Sequence, residues 1–151
     1  MQTTLESAIV VPAEGGAAWS VLGTAMRCKV GSEETDGVYS IVENRVSPQE
    51  GPPPHVHHNE DEIFYVVEGE FEIRCGDETF TATKGALAVL PRNVPHAFRN
   101  TGASEGKLLV TITPGGFEKF FAEVSSEVTT MPPDVEKLKG IARKYNVEFL
   151  M

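Results

Sequence analysis

The sequence predicts an all-β fold of the sandwich or barrel type, followed by two short helices. Between about residues 38 and 113, short segments rich in Val, Ile, Phe, Tyr and Thr alternate with turns rich in Gly, Pro, Asn and Asp. The turns recur roughly every ten residues, a spacing typical of sandwiches and barrels. After Pro114 the apolar period lengthens to that of a helix. The length of 151 residues favours one domain.

Seven segments are predicted to be strands because they are β-prone and bounded by turn residues. They are 38–46, 63–67, 71–75, 78–82, 87–90, 96–99 and 107–113. The third alternates clearly, with Phe71, Ile73 and Cys75 on one face. The prolines at 52–54 cannot donate ladder hydrogen bonds, so they predict a connection or an edge.

The tail predicts two helices, over 116–124 and 132–145. The second carries one apolar stripe, and Pro132 or Pro133 suits its first turn, while Asn146 suits its end. We expect both helices to cover an outer face of the β-structure. The predicted organisation is one domain over 1–151, with a barrel core at about 36–113 and helices at about 116–146.

Charge and composition narrow the function classes. The net charge of −9 disfavours nucleic acid and anionic membrane surfaces as partners. The N-terminus lacks a targeting pattern, and no segment reaches the roughly 20 apolar residues of a membrane helix. We therefore expect a cytoplasmic protein with a small-molecule substrate and no membrane partner. Cys28 and Cys75 are predicted to be free, buried thiols.

Three histidines and one glutamate predict a metal site. His55 and His57 are two residues apart, so on a strand both imidazoles point one way. Glu62 follows after a turn, and His96 comes later, after Pro91. Three imidazoles and a carboxylate suit one divalent transition metal, which the donor set leaves open among Mn, Fe, Ni, Co, Cu and Zn.

Other polar residues nearby have simpler interpretations. A histidine taken alone is more often a surface or satisfied core residue than a ligand. His58 should point away from the other two imidazoles, towards solvent or the outer surroundings of the site. Glu60 and Asp61 are predicted to lie in a solvated turn. Trp19 and the phenylalanines are predicted to be core or pocket lining.

Two motifs resemble those of the cupin family. The first is His55-x-His57, four residues, Glu62, six residues and Gly69. The second is Gly85, five residues, Pro91-Arg-Asn93, two residues, His96, three residues and Asn100. Two positions depart from the family pattern: three residues rather than five separate Gly51 from His55, and Asn93 replaces a glycine. Asn tolerates the left-handed conformation that this turn requires.

The resemblance implies a jelly-roll barrel, or double-stranded β-helix, with the metal inside. It carries the ligand role to His55, His57, Glu62 and His96, and it implies a homodimer. Within the family, segments 51–70, 114–121 and 140–149 resemble single-domain quercetinase-type members.

Three functions follow from this resemblance. The first is a metal-dependent oxidoreductase, a quercetinase-like dioxygenase that acts on a flavonol-like or other enolisable aromatic. In it, Glu62 is both a ligand and the catalytic base. The expected apolar lining comprises Phe64, Val66, Phe71, Phe98 and Trp19.

The second function is an isomerase or lyase acting on a small carboxylate or sugar acid. Such a site needs a cation, and the four candidates are Arg27, Arg74, Arg92 and Arg99. Alternation along the strands places Arg74 and Arg99 outside the barrel. The third is a non-catalytic metal- or ligand-binding domain. An aromatic lining would favour the first function, an arginine-rich lining the second, and absence of turnover the third.

Overall fold

The computed structural model describes residues 6–150 and contains eleven strands and two α-helices. The strands are β1 Ala17–Val21, β2 Thr24–Val30, β3 Ser40–Val46, β4 His55–His57, β5 Asp61–Glu68, β6 Glu70–Cys75, β7 Glu78–Thr83, β8 Leu87–Leu90, β9 His96–Asn100, β10 Gly106–Thr113 and β11 Val147–Phe149. The helices are α1 Glu118–Glu127 and α2 Val135–Lys144, and a short 3-10 turn covers Ser32–Glu34. No helix in this described part is long and apolar enough to cross a membrane.

Two antiparallel sheets form the jelly roll that the resemblance implies. The first has six strands in the order β1-β2-β3-β10-β5-β8, and the second has five in the order β11-β4-β9-β6-β7. Alternate residues of the strands point between the sheets, as Phe64 and Val66 of β5 and Phe71 and Ile73 of β6 show. The core lies between these faces and extends to the helices.

All seven predicted strands are present, and their ends differ from the prediction by at most two residues. Four further strands lie outside the predicted set, namely β1, β2, β4 and β11. The first two join β3 in the six-stranded sheet, so the sheet begins well before residue 36. Their hairpin turns at Leu22 and Gly23, both with positive φ, rather than at a common Asn-Gly or Asp-Gly pair.

The helices begin later than predicted, and their position differs too. Helix α2 starts at Val135 because the Asp134 side chain accepts a hydrogen bond from Lys137 N and caps it, so both prolines precede the cap. Asn146 follows the end of the helix, as predicted, and adopts the left-handed conformation. The expectation that the helices cover an outer face is wrong, because both contribute side chains to the wall of the internal cavity.

Cys28 and Cys75 are free thiols, as predicted. Both are only partly buried, however, so the prediction of buried thiols is wrong in this respect.

Candidate metal centre

Three strands bring the four predicted ligand residues together. His55 and His57 occupy the two ends of β4, and their side chains point the same way because alternate residues share a face. His55 stands opposite His96 of β9 in the antiparallel register. Glu62 is the second residue of β5, in the other sheet. The four side chains therefore meet between the two sheets.

The donor atoms of these residues form one compact cluster. One donor atom from each side chain lies within 4.8 Å of the others. Glu62 Oε1 is 3.0 Å from His57 Nε2 and 2.9 Å from His96 Nε2. All four residues are buried, and His55, at 8%, is the most exposed of them. Water is thus largely excluded from three imidazoles that crowd around one carboxylate.

The outer nitrogens of the imidazoles have different partners. His55 Nδ1 lies 2.9 Å from the carbonyl oxygen of Pro53, an acceptor, so Nδ1 carries the proton and Nε2 keeps its lone pair. His57 Nδ1 faces Glu60 Oε1 at 3.5 Å, and both atoms are buried without a hydrogen bond to any described residue. His96 Nδ1 is buried without a hydrogen-bond partner among residues 6–150.

Charge and burial shift the pKa values within the cluster in opposite directions. Burial, reinforced by the two neighbouring imidazoles, lowers the pKa of His55 to about 3. Burial also opposes charge on His57, but the carboxylates of Glu62 and Glu60 outweigh it and raise the pKa of His57 to about 9. Burial alone would raise the pKa of Glu62, yet His57 and His96 hold it well below its usual range.

The cluster fits a single metal site. Three imidazole nitrogens and one carboxylate oxygen are a donor set that divalent first-row transition metals accept. The fixed tautomer of His55 presents Nε2 as a donor, and the Nε2 atoms of His57 and His96 already converge on Glu62 Oε1. In the absence of a metal, the raised pKa of His57 leaves a proton between its Nε2 and Glu62 Oε1. A cation bound among these atoms would replace that proton.

The turn around Asn93 supports β4 from outside. Asn93 has a φ of 66°, so it adopts the left-handed conformation predicted for the residue that replaces the glycine. Its backbone N–H donates to the carbonyl of His57 at 2.8 Å, and its Oδ1 lies 3.0 Å from His58 Nδ1. The His58 side chain is 47% exposed, so it points away from the cluster as predicted.

Glu60 is a correction to the sequence analysis. It is not part of a solvated turn, because it is only 8% exposed and its carboxylate faces His57 Nδ1. Asp61, also assigned to the turn, is the first residue of β5 and accepts hydrogen bonds from the backbone and side chain of Arg92. In the polar run Asn59-Glu60-Asp61, no local pattern distinguishes the two carboxylates. Only the folded chain shows which of them turns inward.

An internal cavity of about 270 Å³ opens onto the cluster. His55, His57 and Glu62 form its polar end, and most of the remaining lining is aliphatic or aromatic. Exposed residues, including Met131 and Glu50, lie at its rim. The cavity is therefore an apolar chamber with a cluster of metal-type donors at one end.

The lining agrees only partly with the prediction. Phe64 and Phe98 line the cavity, whereas Val66 and Phe71 lie in the core and Trp19 lines a separate surface groove. The C-terminal segment supplies the unforeseen part of the wall; its residues are Phe117, Phe120, Phe121, Met131, Pro133, Leu138, Val147 and Phe149. The ring of Phe117 packs edge-on against His57, with centroids 4.4 Å apart.

Strand β11 also lies beside the cluster. It pairs with β4 so that Val147 stands opposite His57 and Phe149 opposite His55. A three-residue strand at this place has no local signal strong enough for prediction, because it depends on pairing with a strand about ninety residues earlier.

None of the candidate arginines reaches the cavity. Within residues 6–150, no Lys or Arg lines it. Arg27 lies 3.6 Å from Glu14, and Arg92 pairs with Asp61. Arg74 and Arg99 are exposed on the outer side of β6 and β9, as the alternation predicted.

Fold and site together define a small jelly-roll barrel protein with a buried three-histidine, one-glutamate centre. The Cupin domain family matches residues 43–112, which include both motifs. Residues 43–112 therefore form a cupin domain.

The chain is also similar to two known proteins from Streptomyces. The chain is 29% identical over 89 residues to "Polyketide synthase CurC" of Streptomyces cyaneus, an alignment that covers 59% of this chain and 58% of the relative. It is 32% identical over 84 residues to "Protein SchB" of Streptomyces halstedii, covering 56% and 61%. The chain thus spans about three fifths of each of these relatives.

A solved structure of an RmlC-like cupin from Shewanella frigidimarina has the same fold. It superposes with a TM-score of 0.60 at 19% identity, over 79% of this chain and 99% of that chain. At this level of identity the likeness supports the fold alone.

Proposed function

We propose that the protein is a metal-dependent oxidoreductase, a dioxygenase that acts on a flavonol-like or other enolisable aromatic compound. The observation that carries the proposal is the aromatic-lined cavity that ends at the buried His/Glu cluster. A planar ring system fits such a wall, because aromatic side chains favour stacked and edge-to-face contacts with other rings.

In this proposal His55, His57, Glu62 and His96 hold one divalent transition metal. Mn, Fe, Ni, Co, Cu and Zn all accept this donor set. When bound, the metal supplies a Lewis acid for the enol oxygen of the substrate and a centre at which O₂ can react. Of the ligand residues, His55, His57 and Glu62 also line the cavity, so a substrate enters from that side.

Glu62 is the proposed catalytic base. Its Oε1 atom makes both imidazole contacts, which leaves the second oxygen of the carboxylate to accept the proton of the substrate hydroxyl. The rings of Phe64 and Phe98, whose centroids are 5.4 Å apart, hold the aromatic system beside this end of the cavity. Phe117, also in the cavity wall, packs edge-on against His57 and shields that ring from water.

The name of one relative is consistent with this substrate class. "Polyketide synthase" refers to polyketides, whose alternating carbonyl groups enolise readily and condense to aromatic rings. Because the alignment spans only 58% of that relative, the substrate class remains part of the proposal.

The isomerase or lyase hypothesis lacks the cation it requires, since no Lys or Arg side chain in the described chain lines the cavity. A non-catalytic ligand-binding function would use the same cavity and the same metal, and it is an outcome of the test below. Cytoplasmic location remains a prediction from the sequence.

The test is flavonol-dependent oxygen uptake by protein of verified metal content, loaded in turn with Mn, Fe, Co, Ni and Cu. Glu62→Gln should lower the rate by about 10²–10⁴-fold and retain a substantial fraction of the metal, because the amide still offers an oxygen. Glu68→Gln, an exposed site on the same strand, should not alter the rate. No uptake by any metal form of the wild type would refute the dioxygenase and favour the non-catalytic function.

A further inference from the structure

Asn44 places an amide in the apolar wall of the cavity. It lies on β3, is 5% exposed and lines the cavity together with Val42. Its Oδ1 atom is enclosed and has no hydrogen-bond partner among residues 6–150. A buried polar group without a partner destabilises a folded protein, so such a group calls for an explanation.

The strand register places Asn44 far from the metal centre. Ser40 of β3 stands opposite Ile112 of β10, which in turn stands opposite Glu62 of β5. Asn44 is four residues further along β3, which corresponds to about 13 Å along the strand direction. That separation is close to the length of a three-ring flavonol.

The row between the two ends is apolar. Val42, Val110 and Phe64 stand opposite one another across β3, β10 and β5, and all three line the cavity. A bound molecule would therefore meet metal-type donors at one end, an apolar wall along its length and an amide at the other end.

We propose that Asn44 is a specificity residue that hydrogen-bonds to an oxygen substituent on the ring of the substrate furthest from Glu62. This inference rests on the proposed function and adds to it a substrate class: an elongated aromatic oxygenated at both ends. An amide both donates and accepts, and a half-turn about its terminal bond exchanges the two roles, so a phenolic hydroxyl or a ring carbonyl can pair with it.

The physical reason for selectivity is the otherwise unpaired amide. A substrate with an oxygen at its far end satisfies that amide, whereas an analogue with only C–H there leaves it buried and unpaired. One neutral hydrogen bond corresponds to about 2- to 12-fold in affinity.

The experiment measures flavonol binding to the zinc-loaded protein, in which no turnover is needed. Two probes are compared: a flavonol with hydroxyl groups on the ring remote from the enol, and the matched flavonol without them. Wild-type protein should bind the hydroxylated probe about 2- to 12-fold more tightly. Asn44→Leu should reduce this preference to less than about twofold, while metal content stays the same and thermal stability stays equal or rises.

Ser40→Ala is the matched control, because Ser40 lies on the same strand with an unpaired buried oxygen but does not line the cavity. It should keep the preference. Asn44→Ala provides a second variant in case leucine does not fit, and it too should lose the preference.

Two results would overturn the inference: wild-type protein that binds both probes equally or not at all, or Asn44 variants that keep the full preference. Because the readout is binding rather than oxygen uptake, its failure is distinct from failure of the dioxygenase. A preference that depends on Asn44 in a protein without turnover would support the inference and refute the proposed catalysis.

Discussion

Replacing Glu60 with Leu should weaken metal binding by about 10- to 100-fold. In the structure, Glu60 Oε1 and His57 Nδ1 are both buried and face each other at 3.5 Å. When Nε2 of an imidazole binds a metal, Nδ1 carries the proton, and a carboxylate that accepts it orients the ring and makes it a better ligand. A small movement would close this contact to a hydrogen bond.

The magnitude follows from the nature of the contact. A hydrogen bond to a charged acceptor contributes about 1.5–3 kcal/mol, and each 1.4 kcal/mol corresponds to a tenfold change in affinity. Glu60→Gln keeps an oxygen that can accept the His57 proton but removes the charge. Its affinity should therefore lie between those of the wild type and Glu60→Leu.

The assay is competition for zinc against a coloured chelator, with a thermal melt of each metal-free variant to show that it is folded. Asp61→Asn is the control, because it removes one negative charge from the next residue, whose carboxylate pairs with Arg92 instead. It should change affinity less than about twofold. If Glu60→Leu is folded and binds zinc as tightly as the wild type, Glu60 does not orient His57.

Three further predictions use other parts of the structure. Metal binding at pH 7 should release about one proton, because His57, with a pKa of about 9, is charged until a metal binds. The proton release should vanish as pH rises through 9. Calorimetry in buffers of different ionisation enthalpy measures it. Glu118→Gln should lower the free energy of unfolding at pH 7 by about 1–3 kcal/mol, since Glu118 accepts hydrogen bonds from Ser32 N and Oγ. Burial raises the pKa of Glu118, but these hydrogen bonds outweigh burial and hold the pKa below its usual value. The stabilisation by Glu118 is therefore present above the unfolded pKa and is lost as pH falls through the folded pKa, which urea unfolding at pH 7 and 4 should show. The exposed control Glu33→Gln should leave the free energy of unfolding unchanged. The homodimer implied by the resemblance should use the exposed apolar face of Tyr65, Leu87 and Val89 beside the edge strand β8 of the six-stranded sheet. The double variant Leu87→Asp, Val89→Asp should therefore be a monomer by light scattering. A monomeric wild type would contradict the prediction.

The central strands were predictable because each carries its own local signal. Segment 71–75 alternates between buried and exposed positions, and turn residues delimit its neighbours, so the predicted ends are nearly correct. The common direction of His55 and His57 was likewise accessible, because a two-residue spacing on a strand fixes it. Their grouping with Glu62 and His96 followed from the resemblance to the cupin motifs.

The cavity wall was not predictable from local patterns. Phe117 and Phe149 come from segments whose sequence indicates an amphipathic tail, and only long-range packing turns them towards His57 and His55. Phe71 has the parity of an inward-facing residue and is fully buried, yet it packs in the core rather than in the cavity wall. Parity distinguishes inside from outside; it does not distinguish core from cavity.

Glu60 and Asn44 illustrate a second limit. A carboxylate within a polar run and an amide within a strand have no distinctive local pattern, and their roles depend on which buried atoms they face. Both were recognisable only from hydrogen-bonding capacity left unused inside the fold.

The most direct test of the account is the metal content of purified protein by elemental analysis, for the wild type and three single variants. Wild-type protein should hold one divalent transition metal per chain. His57→Ala and His96→Ala should lose most of it, because each removes one of four donors, whereas His58→Ala should retain it, since His58 points away from the cluster. Equal loss in all three variants, or a wild type that binds no metal from any of the six candidates, would contradict the account.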